Sequence, residues 1–350
     1  MTERRERCVG SLVGGAVGDA LGAAVEFSSL SEIRQRTGPG GVRRYFEAYG
    51  HPAPITDDTQ MTLFTAEGLL RAPAASDDAR VTAVHRAYLR WLHTQQVRSE
   101  HVDFDDAISG WLVHEPVLHQ RRAPGNTCIG GMVRAQAGAP GAPLNDSKGC
   151  GGVMRVAPVG LLVEDAFDLG CRVCALTHGH PSGWIAGGAF AELVALTLGG
   201  APLREGVTAM RGSLTHPAGD EVRAAVDQAL HAADTEPVSA ETVESLGAGW
   251  VAEEALAIAI YCALVAEDFL HGVSLAVTHS GDSDSTGCIA GQLLGAHLGL
   301  PAIDGALLEP LEGRALVEQI AADLHDAAAG AVPSADRYPT DPPTLHRPPG

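Results

Sequence analysis

Apolar residues recur along this chain at steps of three and four, and almost nowhere at steps of two. Val81, Val84, Tyr88 and Leu92 form one stripe, Leu316, Val317, Ile320 and Leu324 another, and Met61, Phe64 and Leu69 a third. That period sets the apolar groups on one side of a helix, so each stretch predicts an amphipathic helix facing a core. Further helices are expected over 181–198 and 219–232. The nearly unbroken apolar run from Trp250 to Ala266 predicts a buried central helix. Alternating patterns are scarce and no internal repeat is evident, so the pattern predicts an all-α chain.

Glycine carries a second pattern. Gly10, Gly14, Gly18 and Gly22 stand at four-residue steps within 8–25, and Gly287, Gly291 and Gly295 repeat the step near the other end. A helix face without side chains lets another backbone lie against it. No strand precedes the first set and GxGxxG is absent, so it is not a dinucleotide fingerprint. Residues 36–55 form a Gly/Pro/aromatic loop of the length that often serves as a lid or gate. Residues 135–146 read as a mobile loop. One domain is expected over residues 1–330, with 331–350 a Pro-rich, disordered tail.

Composition narrows the function. The 350 residues carry a formal charge of −19, which disfavours nucleic acid or an anionic membrane as partner because phosphate recognition needs clustered Lys and Arg. Aromatic residues make up only 5% of the chain, so the core must be built of small aliphatic groups in closely packed helices. Seven cysteines, an odd number without regular spacing, predict free thiols and a cytoplasmic setting. Cys171 and Cys174 lie inside a helical run and read as packing residues. The start reads as a first helix rather than a leader, because Glu3 and Glu6 interrupt its basic stretch. No apolar run is long enough to span a membrane.

The candidate chemistry is acidic. In His279-Ser280-Gly281-Asp282-Ser283-Asp284-Ser285-Thr286-Gly287, two carboxylates two residues apart enter a glycine-rich helix. Buried there, they need a cation or strong donors, since an unpaired buried carboxylate costs several kcal/mol. Thr56-Asp57-Asp58-Thr59 repeats the arrangement before another helix, where the acids would serve either as caps or as ligands. Together the two stretches offer an all-oxygen set suited to Mg²⁺, Mn²⁺ or Ca²⁺ rather than zinc. Glu26, just past the first helix, is either solvated or directed at the same site. The glycines of Ser147-Lys148-Gly149-Cys150-Gly151-Gly152 expose backbone amides before a helix, either as a plain turn or as a phosphate cradle. His178 and His180 stand at a helix junction, as caps or as pocket residues.

The ordered set Gly18-Asp19-Ala20-Leu21-Gly22, Glu26, Thr56 to Thr59, Ser147 to Arg155, Thr177-His178, Gly249 to Leu256 and Gly281 to Thr286 resembles the ADP-ribosylglycohydrolase family and spans most of residues 8–300. The resemblance implies a single compact orthogonal helix bundle with a dinuclear Mg²⁺ or Mn²⁺ cleft. It implies an enzyme that hydrolyses the bond between ADP-ribose and its acceptor, acting on an ADP-ribosylated protein or an ADP-ribose derivative; a monomer is expected. Thr56, Asp57, Asp58, Asp282, Asp284 and Ser285 match the metal ligands. Glu26, Asp57 and Asp58 are the candidates to activate water, and Ser147, Gly149, Gly151, His178 and Asn126 the candidates to bind substrate. Some relatives carry an aromatic residue for adenine where this chain has Lys148. The GDSDST and GCGxxMR forms look more like arginine-directed than serine-directed members. Serine-linked, poly- or O-acetyl-ADP-ribose hydrolysis is the alternative reading, and a non-catalytic ADP-ribose binder the second.

Overall fold

A computed structural model describes residues 2–72, 74, 76–102 and 108–341. Among these residues the chain forms α-helices and short 3-10 turns, with no strand. The helices are α1 (Glu3–Gly22), α2 (Leu30–Thr37), α3 (Asp57–Arg71), α4 (Asp77–Thr94), α5 (Asn126–Val133), α6 (Ala157–Leu162), α7 (Phe167–Ala175) and α8 (Pro181–Leu198). There follow α9 (Leu203–Ser213), α10 (Asp220–Thr235), α11 (Ala240–Ser245), α12 (Ala252–Leu264), α13 (Phe269–Val277), α14 (Ser283–Leu298), α15 (Gly305–Leu308) and α16 (Arg314–Ala328). None is long and apolar enough to cross a membrane.

The two glycine ladders find each other. α1 and α14 pack more extensively than any other pair, and their small faces interlock rung by rung: Gly10 on Gly295, Gly14 on Gly291, Gly18 on Gly287, and Gly22 on Ser283 and Asp284. A Cβ on Gly10 would lie 2.7 Å from the Gly295 carbonyl oxygen, and one on Gly287 2.6 Å from that of Gly18. No side chain fits between these backbones. The contact therefore fixes the start of α14, with its acids, against the end of α1.

The predicted helices form with shifted ends. α12 begins at Ala252, not Trp250, because Gly249 turns at φ +78° and Val251 bridges to Gly149. Trp250 is thereby left outside the core. Cys171 and Cys174 pack within α7 against Gly188 and Gly187 of α8, and the seven cysteines are free and buried. The 36–55 loop is pinned rather than loose. The Val42 amide donates to Thr278 Oγ1 at 3.0 Å, Tyr45 hydroxyl to the Leu307 carbonyl at 2.8 Å, and the Ile55 amide to Glu312 at 3.1 Å. Between these anchors Arg43, Arg44, Glu47, Tyr49 and Gly50 remain exposed.

The tail departs from expectation as far as it is described. Asp341 accepts from Arg71 at 2.7 Å and Arg90 at 2.8 Å, the two guanidinium groups that already enclose the buried Glu67. Tyr338 is buried and donates to Asp323 at 2.6 Å. Two buried Arg against one Glu leave a positive excess, and Asp341 balances it. Residues 342–350 lie outside the described residues.

Candidate active site

The acids converge where α1, α3 and α14 meet. Asp19, Asp57, Asp58, Asp282 and Asp284 are each at most 4% exposed, and Glu26 is half-buried beside them. Glu26, Asp282 and Asp284 each offer an oxygen within 4.8 Å of the other two. Three of the acids are placed by local devices. Gly281 at φ +153° brings its backbone onto Ala248, whose carbonyl accepts the Asp282 amide at 2.9 Å, and no residue with a Cβ fits there. Thr56 is the N-cap of α3 and donates to Asp58 Oδ2 at 3.3 Å. Asp57 Oδ2 accepts the Gly125 amide at 3.2 Å.

These acids have no counter-charge. Among the described residues no Lys or Arg forms an ion pair with any of the six, and one oxygen each of Asp58 and Glu26 has no partner at all. Burial first, and then mutual repulsion, pushes their proton affinities up. Glu26 rises to about 10 through burial and the fields of Asp284, Asp282 and Asp57. Asp57, Asp58 and Asp282 are held well above the carboxylate range by burial and then Asp284, and Asp284 itself is raised by burial. Orphaned oxygens, hard donors and a missing counter-charge are what a divalent cation site requires, so the residues fit a metal.

This has a consequence for stability without metal. A carboxyl whose folded-state affinity lies above its unfolded value binds more protons when folded, so its contribution is present at low pH and is lost as pH rises. For Asp19, raised to about 7, and Glu26, raised to about 10, that window opens at the ordinary values of 3.8 and 4.5. The Tm of EDTA-treated protein should therefore fall from about pH 5 to about pH 8, while Mg²⁺ or Mn²⁺ reverses the trend because the ion binds ionised ligands. A flat metal-free profile in differential scanning fluorimetry would refute the uncompensated cluster.

The second half of the site adjoins the first. Cys150 donates its thiol to Asp282 Oδ2 at 2.7 Å and lies 3.6 Å from Ser285 Oγ, so the Ser147 to Gly152 stretch runs along the acid cluster. A Cβ on Gly149 would lie 3.4 Å from His178 Nε2, and one on Gly151 3.3 Å, so both glycines face that ring. Ser147 Oγ meets Thr127 Oγ1 at 3.0 Å, next to the exposed Asn126 at the start of α5. His178 is buried and neutral, its affinity lowered to about 3 by burial and then by Arg155. Arg155 donates to Thr177 Oγ1 at 2.6 Å, and that hydroxyl pairs with His178 Nδ1 at 2.8 Å. With Arg155 donating to it, the hydroxyl in turn donates to Nδ1, so the ring proton sits on Nε2 and Nε2–H is a donor on the side of the glycine segment. The helix expected after these glycines is only a 3-10 turn, Cys150–Gly152, so anion binding there would rest on single amides and not on a long helix dipole.

A profile of the ADP-ribosylglycohydrolase family matches residues 1–333. The chain belongs to the ADP-ribosylglycohydrolase family. It is 28% identical over 317 residues to ADP-ribosyl-[dinitrogen reductase] glycohydrolase of Rhodospirillum rubrum, covering 88% of this chain and 90% of that one. A protein of Archaeoglobus fulgidus is 28% identical over 342 residues, 93% of this chain and 97% of its own. A solved structure titled "ADP-ribosylglycohydrolase-related protein complex" aligns with a TM-score of 0.69 at 28% identity, covering 94% of this chain and 100% of that one. This ADP-ribosylglycohydrolase is accordingly a hydrolase of glycosidic bonds that releases ADP-ribose, in a family that is generally metal-dependent.

Against that background, some residues of the ADP-ribosylglycohydrolase site were not singled out from sequence. Asp19 is fully buried and accepts the Thr56 amide at 2.9 Å, the Thr59 amide at 3.1 Å and the Thr59 hydroxyl, so it caps α3 from another helix. An acid standing beside Gly18 on a glycine-stripped helix was the available signal. Glu254 accepts the Ala248 and Gly249 amides at 3.0 and 3.2 Å and holds the turn beneath Asp282. Lys148 is tied to Glu253 and, at 3.0 Å, to Glu221, which spends it on surface pairing. Of the two junction histidines, His180 caps α8 by accepting the Ser182 amide at 3.1 Å, while His178 faces the site.

Proposed function

We propose that this enzyme removes ADP-ribose from arginine side chains, using two Mg²⁺ or Mn²⁺ ions held by Thr56, Asp57, Asp58, Asp282, Asp284 and Ser285. The observation that carries the metal reading is the set of buried acids with no cationic side chain. A modified protein as substrate is supported by the Rhodospirillum rubrum relative, whose name states that it acts on ADP-ribosyl-[dinitrogen reductase], and arginine as the acceptor by the GDSDST and GCGxxMR forms. Bound divalent ions would supply positive charge that orients ribose hydroxyls and acidifies a water.

The chain's own groups do the rest. The amides of Gly149 and Gly151, Ser147 Oγ and His178 Nε2–H would receive the diphosphate, with Asn126 at the rim. Attack by water on the anomeric carbon passes through an oxocarbenium-like state, so a carboxylate must take the water's proton. Asp57, Asp58 and Glu26 are the candidates. Glu26 is the one among them that is only half-buried, and it keeps one oxygen unpartnered.

The test is release of ADP-ribose from proteins modified on arginine or on serine, with Mg²⁺, with Mn²⁺ and with EDTA. Metal-dependent release from the arginine substrate is expected. Release from serine only, or only from O-acetyl-ADP-ribose, would overturn the acceptor assignment while leaving the hydrolase intact.

A further inference from the structure

Three large aromatic side chains stand exposed among the described residues, Phe27 at 69%, Tyr49 at 47% and Trp250 at 41%, and all three border the acid cluster. Phe27 follows Glu26 directly. Trp250 sits between Gly249, where a Cβ would lie 3.5 Å from that of Asp282, and Val251, which bridges to Gly149. Its carbonyl accepts the Cys150 amide at 3.1 Å. The Tyr49 hydroxyl is raised by burial and then by Glu26, Asp284, Asp19 and Asp57, which places it in the field of the same acids.

Phe27 and Trp250, brought together from opposite ends of the chain, stack with ring centroids 5.4 Å apart and planes 20° from parallel. Phe27 holds φ +66°, and Tyr49 φ +52°. Bulky side chains in the left-handed region are strained, and such strain concentrates where a ligand is clamped. Exposed apolar rings in strained backbone add little to the fold. Single exposed aromatics are ordinary on protein surfaces, but here all of them stand at one mouth.

The chemistry of the occupant follows from the surroundings. Stacked rings present flat, electron-rich faces, so the surface suits a planar cation. Adenine is neutral and lies beyond the diphosphate from the scissile bond. The ring pair, by contrast, adjoins Glu26 and Asp282 at the scissile end. We propose that Phe27 and Trp250 form the acceptor subsite, on which the guanidinium of an ADP-ribosylated arginine stacks. This rests on the arginine reading above.

The test uses the metal-loaded enzyme and its Phe27→Ala, Trp250→Ala and Trp250→Phe variants. Substrate is an ADP-ribosyl-arginine peptide, with free ADP-ribose and Nα-acetylarginine amide as inhibitors. Either alanine variant should raise KM for the peptide about tenfold and weaken inhibition by the amide in proportion, the scale of a desolvated cation–π contact. Trp250→Phe should keep most of the wild-type KM. Inhibition by ADP-ribose should stay within about twofold, because the subsite does not touch it. Unchanged KM, or an equal loss of ADP-ribose affinity, would overturn the proposal, the latter making the pair an adenine platform. If the wild type does not cleave the peptide, the arginine reading fails separately. The subsite is then judged by titrating Nα-acetylarginine amide against tryptophan fluorescence in wild type and Trp250→Phe. Quenching confined to wild type supports a guanidinium surface, and its absence overturns it.

Discussion

Asp57→Asn and Asp282→Asn should each lower kcat about a thousandfold while raising the Tm of the metal-free protein. The first effect follows from exchanging one carboxylate oxygen and its charge for an amide NH₂ at the site proposed to hold the cations. The second follows from the same burial that raises their proton affinities, since a neutral amide in place of a repelled carboxyl relieves Asp284 and its neighbours. The shape of the side chain is kept, and Asp57 could still accept the Gly125 amide through its carbonyl oxygen. Isothermal titration with Mn²⁺ would show fewer or weaker sites, and circular dichroism an unchanged helix content. Full turnover in either variant would refute the metal-ligand assignment. Lost turnover with a fall in metal-free Tm would mean that these acids support the fold instead.

Gly18→Ala is expected to cost about 3–5 kcal/mol, at the upper end for a single methyl group. The new Cβ would run into the Gly287 carbonyl, which is backbone within α14 and cannot rotate away. Relief requires the two helices to part, and parting them moves Asp19 on α1 away from Thr56 and Thr59 and Asp284 away from Asp19. Metal affinity should therefore fall together with stability. Gly130→Ala is the control, because nothing lies within 4 Å of its added Cβ and alanine favours the helix. Chemical denaturation would compare the two. Equal stability in both would show that the ladder contact is slack enough to repack.

The acids at 56–58 and 282–284 were readable because hydroxyls and carboxylates clustered before apolar helices are hard to explain by capping alone. Both glycine ladders were visible as four-residue steps, yet neither said which helix would fill it. Asp19 was part of a recognised motif, but its work is done on a helix 37 residues away, which local pattern does not show. The partners of Lys148 and the aromatic mouth are hidden for the same reason.

The chain alone determined its helical class, since a 3.6-residue period is written into the order of apolar groups and survives any arrangement of the helices. It determined the oxygen-only character of the site as well, since ligand chemistry belongs to residue type. Tertiary structure decided what each buried face is buried against. It turned Asp19 into a cap, gathered buried acids without a cationic side chain beside them, drew Asp341 onto two arginines and stacked Phe27 on Trp250. Periodicity reports that a face leaves water; only the packing of distant segments fixes its partner, because burial is non-directional and fit, charge and hydrogen bonding choose among the faces available.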